Sequence, residues 1–327
     1  MVVLIFIQQP VRAWSVPPAQ VERLRQRFPH VRIEHALDDG AALAAIQIAD
    51  AAFTWKMAGD VVARAERLRW VHTSAVAVGT LPLAQLAARG VAVSNSRGIQ
   101  SVAIAEHVIA MLLALSRQLP LAVRRQSAGI WAQNEMVGDF MPWLVQGRRL
   151  GIVGLGTIGQ AVAVRTAALG MPVTGIRRRP ERGAPPGVSE VLGPADLDRL
   201  LATSDVLVLA APWTSATDRL LGEREIQRMK RGAILINVAR GQLIDEDALT
   251  SALATGHLGG AALDVFAKEP LAAASPLWSL PNVLITPHTS GFRVDHWDAV
   301  IDLFSENLRW FEAGEPLLNV VDCEAGY

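Results

Sequence analysis

The chain has 327 residues, of which 51% are hydrophobic and 19% are charged. This composition excludes a disordered protein, and the length allows two domains that each bury a hydrophobic core. The 31 Lys and Arg residues balance the 31 Asp and Glu residues, so no net charge attracts the chain to nucleic acid or to an anionic membrane. We therefore expect a soluble globular protein whose partners are small molecules or further protein chains.

The single cysteine and two apolar segments bear on the compartment. Cys323 has no second cysteine to pair with, which excludes an internal disulfide and a cysteine-based metal site and suits the cytoplasm. Residues 1–7 lack the basic residues of a signal peptide and are interpreted as a buried first strand. Residues 102–115 are interrupted by Glu106 and His107 and are too short to cross a bilayer. We predict a helix there that is buried in a core or against a second subunit, and no membrane span.

Short β-branched runs alternate with helical segments rich in Ala, Leu and Arg, which predicts parallel sheets covered by helices. The strands predicted in the first part are Val2–Ile7, Val31–Glu34, Ala51–Trp55, Leu68–Thr73 and Val91–Ser94. A second series is predicted at Leu150–Val153, Val173–Ile176, Val206–Leu209, Ala233–Asn237, Ala261–Asp264 and Val283–Thr286. The predicted helices include Ala19–Arg27, Leu83–Ala88, Thr157–Leu169, Glu246–Leu253 with Asp245 as N-cap, and a long last helix at about 293–312. The simplest architecture is two doubly wound α/β domains, the second inserted into the first.

A glycine-rich segment, Gly154-Leu155-Gly156-Thr157-Ile158-Gly159, follows one predicted strand and opens the next helix. This is the context of a dinucleotide-binding turn. Gly154 makes the tight turn, Gly156 lets a pyrophosphate approach the backbone, and Gly159 lets helix and strand pack closely. The helix N-terminus at Thr157 and Ile158 then faces the phosphate charge. A glycine triplet in an ordinary turn is the alternative.

The strand predicted at Val173–Ile176 ends in Arg177-Arg178-Arg179, where an acidic residue is usual in NAD-binding proteins. A carboxylate there repels a 2′-phosphate, whereas guanidinium groups bind it with forked donors. Arg177 and Arg178 therefore favour NADP(H), with NAD(H) as the alternative cofactor. A solvated basic loop is the other interpretation.

Three further strand ends carry Arg240, Glu269 and His288. Reduction of a 2-keto acid requires a cation that binds the carboxylate and polarises the ketone, and a proton donor for the nascent alkoxide. Arg240 suits the first role and His288 the second, while Glu269 would orient the imidazole and stabilise its protonated form. Each residue alone also fits a surface ion pair, a loop charge or a structural role.

At this point the sequence resembles the D-2-hydroxyacid dehydrogenase family along nearly its whole length. The matching segments are Gly154–Gly159, Asn237–Gly241, Gly260–Pro270, Thr286–His288 and Ile104–His107. The resemblance implies that Arg240, Glu269 and His288 are catalytic. It also implies that the glycine turn binds the cofactor together with Pro212, Ala239 and Asp264, the last holding the nicotinamide amide.

The resemblance also implies a domain organisation. A flavodoxin-like catalytic domain would comprise residues 1–98 and 291–327, and a Rossmann coenzyme domain residues 99–290. A homodimer built largely on the helix around 102–117 is implied as well.

Within this family, the arginines are similar to those of NADPH-dependent glyoxylate/hydroxypyruvate reductases. Trp55 is similar to an aromatic residue of the substrate site, with a core aromatic as the alternative. The carboxylate-binding loop departs from the family pattern, because it reads Ser74-Ala75-Val76-Ala77-Val78-Gly79. The β-branched Val76 does not adopt positive φ cheaply, so the amides of this loop are expected to point differently. Val76 and Val78 also make the predicted substrate site, which includes Ala77, more apolar. A bulkier 2-keto acid is therefore favoured.

Two other functions fit the same fold. An NAD-dependent formate or phosphonate dehydrogenase is disfavoured by the arginines at 177 and 178. A dinucleotide-sensing binding protein, similar to corepressors of this fold, is disfavoured by the complete set of Arg240, Glu269 and His288. We therefore predict an oxidoreductase that transfers a hydride between NADP(H) and a 2-keto acid/(D)-2-hydroxy acid pair.

Overall fold

The computed structural model describes residues 1–137, 141–324 and 326. Its strands are β1 Val2–Phe6, β2 Arg32–His35, β3 Ala51–Thr54, β4 Trp70–Thr73, β5 Ala92–Asn95, β6 Leu150–Val153, β7 Val173–Ile176, β8 Glu190–Leu192, β9 Val206–Leu209, β10 Ile234–Asn237, β11 Gly260–Leu263 and β12 Val283–Ile285. Its α-helices are α1 Pro18–Arg27, α2 Asp39–Ile46, α3 Gly59–Arg64, α4 Leu83–Ala88, α5 Ser101–Ser116, α6 Leu119–Ser127, α7 Gln133–Val137, α8 Thr157–Ala168, α9 Leu197–Thr203, α10 Glu223–Arg228, α11 Glu246–Ala254 and α12 His296–Ala313.

The chain forms two compact units. The first unit comprises Met1–Ile99 and the C-terminal part from Arg293, and the second comprises Gln100–Phe292. The functional division into 1–98 with 291–327 and 99–290 stays a prediction as to the roles of these units. Its C-terminal part includes positions 325 and 327, which lie outside the described residues.

The first unit contains a parallel sheet with the strand order β2-β1-β3-β4-β5 among the described residues. This is the flavodoxin-like order of a doubly wound sheet. Strands β3 and β4 are buried along their whole length, because helices cover both faces. The rings of Phe53 and Phe304 stack 4.3 Å apart, which joins the sheet to α12.

The second unit contains a parallel sheet with the order β12-β11-β10-β9-β6-β7-β8 among the described residues. This is the Rossmann order extended by one strand, with the change of direction between β6 and β9. The carboxyl ends of β10, β11 and β12 are neighbours, since Asn237 pairs with Leu263 and Leu263 with Ile285. Residues that directly follow these strands therefore meet at one edge of the sheet.

The predicted α/β class with two doubly wound parallel sheets is confirmed. Strand β8 was not predicted, because it has only three residues, begins with Glu190 and lies at the sheet edge. The last helix begins at His296 rather than at Arg293. The Arg293 guanidinium instead binds the Asp295 carboxylate just before the helix, with Nε 2.5 Å from Oδ1.

Helix α5 is the apolar helix predicted at 102–117. One face of it packs into the core of the second unit through Ile104, Val108 and Leu112, where α8 lies against it. Among the described residues no single helix is long and apolar enough to span a bilayer, and only α5 and α6 taken together, across a bend of 71°, meet that test.

Candidate active site

The glycine turn after β6 is built as the sequence predicts. Gly154 has a φ of +102°, and a Cβ there would lie 2.6 Å from the amide nitrogen of Ala211 in the loop after β9. A Cβ on Gly159 would lie 2.0 Å from the carbonyl oxygen of Gly154. Gly154 and Gly159 are therefore required by backbone packing on either side of the turn.

Gly156 has a different role, because a Cβ there would meet no atom within 4 Å. It caps α8, whose first residues Thr157 and Ile158 present main-chain amides at the N-terminus. A helix N-terminus next to unfilled space suits a phosphate group. The turn at Gly154–Gly159 thus fits the pyrophosphate of a dinucleotide.

Further predicted cofactor contacts follow two other strands of the same sheet, Arg177 and Arg178 after β7 and Pro212 after β9. Arg177 is half-buried and donates from Nη1 to the carbonyl oxygen of Gly183 at 3.3 Å. Arg178 is exposed, as is Pro212 after β9. The guanidinium groups therefore follow the strand at the position where the cofactor ribose is expected.

Asn237, at the end of β10, shapes the loop that carries Arg240. Its Oδ1 accepts from the amide of Ala239 at 3.0 Å, and its Nδ2 donates to the carbonyl oxygen of Arg240 at 2.9 Å. The Arg240 guanidinium donates to the carbonyl oxygen of Ala239 at 2.5 Å. Burial lowers the pKa of Arg240, while the Glu269 carboxylate acts in the opposite direction. An arginine stays protonated under such a shift, so the loop presents a partly desolvated cation.

Glu269 and His288 form a hydrogen-bonded pair. Oε2 of Glu269 lies 2.7 Å from Nδ1 of His288, and its Oε1 accepts from the amide of Phe266 at 3.0 Å. Burial raises the pKa of Glu269, but the hydrogen bonds from His288 and Phe266 outweigh it, so the net pKa lies below its usual range. Since Nδ1 binds a carboxylate, Nε2 is the ring nitrogen available to a substrate.

These three side chains line one open pocket of about 240 Å³ in the second unit. The pocket is lined by Arg240, Gly241, Gln242, Phe266, Ala267, Glu269 and His288. A Cβ on Gly241 would lie 1.8 Å from the carbonyl carbon of Phe266, so only glycine lets the loops after β10 and β11 approach this closely. The pocket therefore combines a fixed cation with a carboxylate-paired imidazole.

Asp264 directly follows β11 and is 0% exposed. Its Oδ1 accepts from the hydroxyl of Thr286 at 2.6 Å and from the amide of Thr289 at 2.8 Å, while Oδ2 accepts from the amide of Ser290 at 3.0 Å. Burial raises the pKa of Asp264, but the hydrogen bonds from the 286–290 turn outweigh it and the net pKa is lowered. Its role at the nicotinamide amide stays a prediction.

Four residues of the first unit are predicted to contact substrate. Trp55 is half-buried, and its indole Nε1 donates to the carbonyl oxygen of Gln8 at 2.8 Å. Val76 is half-buried without a positive φ, and Ala77 is exposed. Val78 is only 3% exposed and packs in the core of its unit, which favours a packing role for its side chain. Their contact with substrate stays a prediction.

Asn237, Phe266 and Thr286 hold the site together but are not among the residues predicted from the sequence. Asn237 and Thr286 both lie in matching segments, so their polar side chains next to Arg240 and His288 were an available signal. The contribution of Phe266 is a main-chain amide, which side-chain identity does not reveal.

Comparison with known proteins shows the family of the chain. Residues 109–290 match the family described as "D-isomer specific 2-hydroxyacid dehydrogenase, NAD binding domain". The chain is 33% identical to a glyoxylate reductase of Thermococcus gammatolerans over 95% of this chain and 94% of that relative. It is 35% identical to a D-3-phosphoglycerate dehydrogenase of Archaeoglobus fulgidus over 82% of this chain, but it spans only 50% of that longer relative.

A solved structure is similar over the whole chain. It is a D-isomer specific 2-hydroxyacid dehydrogenase from Xanthobacter autotrophicus Py2 in complex with NADPH and MES, 30% identical. The TM-score is 0.83, with coverage of 100% of this chain and 99% of that one. The chain therefore belongs to the D-isomer specific 2-hydroxyacid dehydrogenase family, a group of NAD(P)-dependent oxidoreductases, which confirms the resemblance predicted from its motifs.

Proposed function

We propose that this protein interconverts a 2-keto acid and a (D)-2-hydroxy acid with NADP(H). The observation that carries the proposal is the convergence of Arg240, Glu269 and His288 on one pocket of the dinucleotide-binding unit. A cation, a proton donor and its orienting carboxylate are the protein groups that ketone reduction needs.

The roles follow from the chemistry of each group. The Arg240 guanidinium binds the substrate carboxylate and polarises the ketone oxygen. The His288 imidazolium gives its Nε2 proton to that oxygen, and Glu269 holds Nδ1 so that Nε2 faces the substrate. Bound NADPH supplies the hydride. In the oxidative direction neutral His288 takes the hydroxyl proton.

In the first unit, substrate recognition is assigned to Trp55, Val76 and Ala77, and Val78 contributes its main chain because its side chain is buried. Apolar side chains at 76 and 77 favour a 2-keto acid with a bulky apolar group. Backbone amides of this loop would bind a carboxylate.

The preference for NADP(H) rests on Arg177 and Arg178. Two guanidinium groups at the end of β7 provide donors for a 2′-phosphate. The similar protein from X. autotrophicus binds NADPH, which supports this assignment. Pro212, Ala239 and Asp264 are assigned to the rest of the cofactor.

Replacing both arginines should change cofactor selectivity. In Arg177→Gln/Arg178→Gln we expect the KM for NADPH to rise about ten- to hundredfold and that for NADH to stay nearly constant, because a lost charge-assisted phosphate contact costs about 1.5–3 kcal/mol. Steady-state kinetics with both cofactors measure this. Arg64→Gln/Arg231→Gln removes equal charge from exposed positions and serves as the control. A wild-type preference for NADH would refute the assignment.

Replacing Glu269 should shift the pH dependence. The pairing that lowers the pKa of Glu269 also favours the protonated imidazole. Reduction needs the imidazolium and falls as pH rises, whereas oxidation needs neutral imidazole and rises. In Glu269→Gln the negative charge beside the imidazole is lost, so both pH profiles should move to lower pH.

The measurement is kcat/KM against pH in both directions. Glu246→Gln is the matched control, because Glu246 accepts from the amide of Ala267 at 2.6 Å beside the same loop. If the pH profiles of Glu269→Gln coincide with those of the wild type, Glu269 does not act on the histidine. The same conclusion follows if the control Glu246→Gln shifts them equally.

Turnover tests the function against its alternatives. Absorbance of NADPH, and separately NADH, is followed with glyoxylate, hydroxypyruvate, pyruvate and branched 2-keto acids. A steady loss of NADPH or NADH absorbance with a 2-keto acid supports the proposed dehydrogenase activity. Tight cofactor binding without turnover would instead support a dinucleotide sensor, and NADH formation from formate or phosphonate would support those dehydrogenases.

We further propose a homodimer formed around α5. The face of α5 opposite the core begins with Val102, which is 49% exposed. The chain just after it exposes Val123 at 58% and Trp131 at 89%. Large apolar side chains that are exposed in this part of the chain favour a protein interface there.

A further inference from the structure

The Ile104–His107 segment matches the family, yet the proposed reaction gives it no task. His107 lies on α5 with its Nε2 3.0 Å from the hydroxyl of Thr286. That hydroxyl lies 2.6 Å from Oδ1 of the buried Asp264. We propose that His107 is a positioning residue, which acts through Thr286 and Asp264 to hold the turn that carries His288. This inference rests on the proposed role of His288 as proton donor.

The direction of each hydrogen bond follows from the ionisation of Asp264. Its lowered pKa leaves an ionised carboxylate, which can only accept. Thr286 must therefore donate its single hydroxyl proton to Asp264. Toward His107 the hydroxyl can only accept, so Nε2 of His107 carries the hydrogen. The network thus assigns the protonated nitrogen of His107.

The backbone of this turn must be stabilised by contacts with other residues, because His288 has a φ of +55°. Residues other than glycine rarely adopt this conformation, and it persists only where surrounding contacts impose it. The carbonyl oxygen of Asp264 accepts from the amide of His288 at 2.8 Å, and its carboxylate binds the amides of Thr289 and Ser290. Asp264 therefore fixes the backbone on both sides of the His288 side chain.

His107 determines whether the Thr286 hydroxyl is oriented to donate to Asp264. Its side chain is only 23% exposed, and its Nε2 lies 3.8 Å from Oδ1 of Asp264. Without a donor at this position, the Thr286 hydroxyl loses the contact that orients it, and a partly buried acceptor stays unpaired. The buried carboxylate then loses its shortest hydrogen bond, and the turn samples other conformations.

The test uses pairs of variants that remove or keep the donor. His107→Phe removes it and His107→Gln keeps an amide donor. Thr286→Val removes the hydroxyl and Thr286→Ser keeps it. The matched control is His257→Phe, since Nε2 of His257 makes one hydrogen bond of 2.9 Å, to the carbonyl oxygen of Ile226 in the same unit.

Two readouts are measured on the whole 327-residue chain. The first is the single-turnover rate of NADPH oxidation with a 2-keto acid, beside the Kd of NADPH. At saturating NADPH we expect about a tenfold loss of rate in His107→Phe and Thr286→Val, and recovery in His107→Gln and Thr286→Ser. The second is amide hydrogen exchange of Thr289 and Ser290, which should be faster in the first two variants only.

Wild-type rates in His107→Phe with unchanged exchange at Thr289 and Ser290 would overturn the inference. An equal loss of rate in His257→Phe would also overturn it, because the effect would then follow from general destabilisation. If the wild type turns over no 2-keto acid, the proposed function fails instead, and the exchange measurement still decides whether His107 holds the turn.

Discussion

Replacing His288 by alanine should lower the rate of the chemical step by about 10²–10⁴-fold in both directions, which is the usual contribution of a positioned acid–base group. Reduction leaves a negative charge on the ketone oxygen unless a proton arrives, and Nε2 of His288 is the donor that we propose. Oε2 of Glu269 lies 2.7 Å from Nδ1 of the same ring and would orient it. Oxidation needs the same nitrogen as a base. Single-turnover kinetics in each direction measure the loss.

The binding of NADPH should change little in His288→Ala, because the glycine turn and the arginines after β7 are separate from the histidine. His30→Ala is a matched control, since Nε2 of His30 lies 2.9 Å from Oε1 of Glu312 in an exposed pair of the same kind. A chemical step that slows less than tenfold in His288→Ala would show that another group moves the proton.

Arg240→Lys should lower kcat/KM by at least about a hundredfold although it keeps the charge. A lysine has no planar fork, so it cannot bind the two carboxylate oxygens together while also polarising the ketone. Burial lowers the pKa of Arg240, and a lysine in the same surroundings would lose its proton more readily. Both effects should lower the kcat/KM of Arg240→Lys.

Steady-state kinetics with a range of 2-keto acids measure this effect. Arg224→Lys is the control, because Arg224 is an exposed forked arginine that binds Glu225 and Asp198. Its replacement should leave kcat/KM unchanged. Near-normal kcat/KM in Arg240→Lys would assign substrate binding to another cation.

The sequence predicts most of this fold because parallel strands buried on both faces are continuous apolar runs between clear turn signals. Strands β6, β7 and β9 have the predicted bounds for that reason. Strand β8 follows a segment rich in proline and glycine and has only three residues, so neither its length nor its pattern distinguishes it from a loop. Its pairing with β7 becomes evident only in three dimensions.

The clustering of Arg240, Glu269 and His288 in one pocket was predictable because all three follow neighbouring strands, while their catalytic roles stay predictions. The hydrogen bonds that hold these residues in place were less predictable from the sequence. The hydrogen bond between His107 and Thr286 joins residues 179 positions apart, and its meaning depends on the burial of Asp264. Val78 illustrates the converse, because a loop residue expected near substrate packs its side chain into the core.

The most direct test of the account follows the hydride itself. The protein is incubated with NADPH that carries deuterium at C4 of the nicotinamide, each C4 stereoisomer separately, and with hydroxypyruvate or a branched 2-keto acid. Mass spectrometry and chiral chromatography of the product then report the position of the label and the configuration. We predict a (D)-2-hydroxy acid with one deuterium at C2 from one stereoisomer of the cofactor. An unchanged keto acid, an unlabelled product from both stereoisomers or a product of (L) configuration would contradict the account.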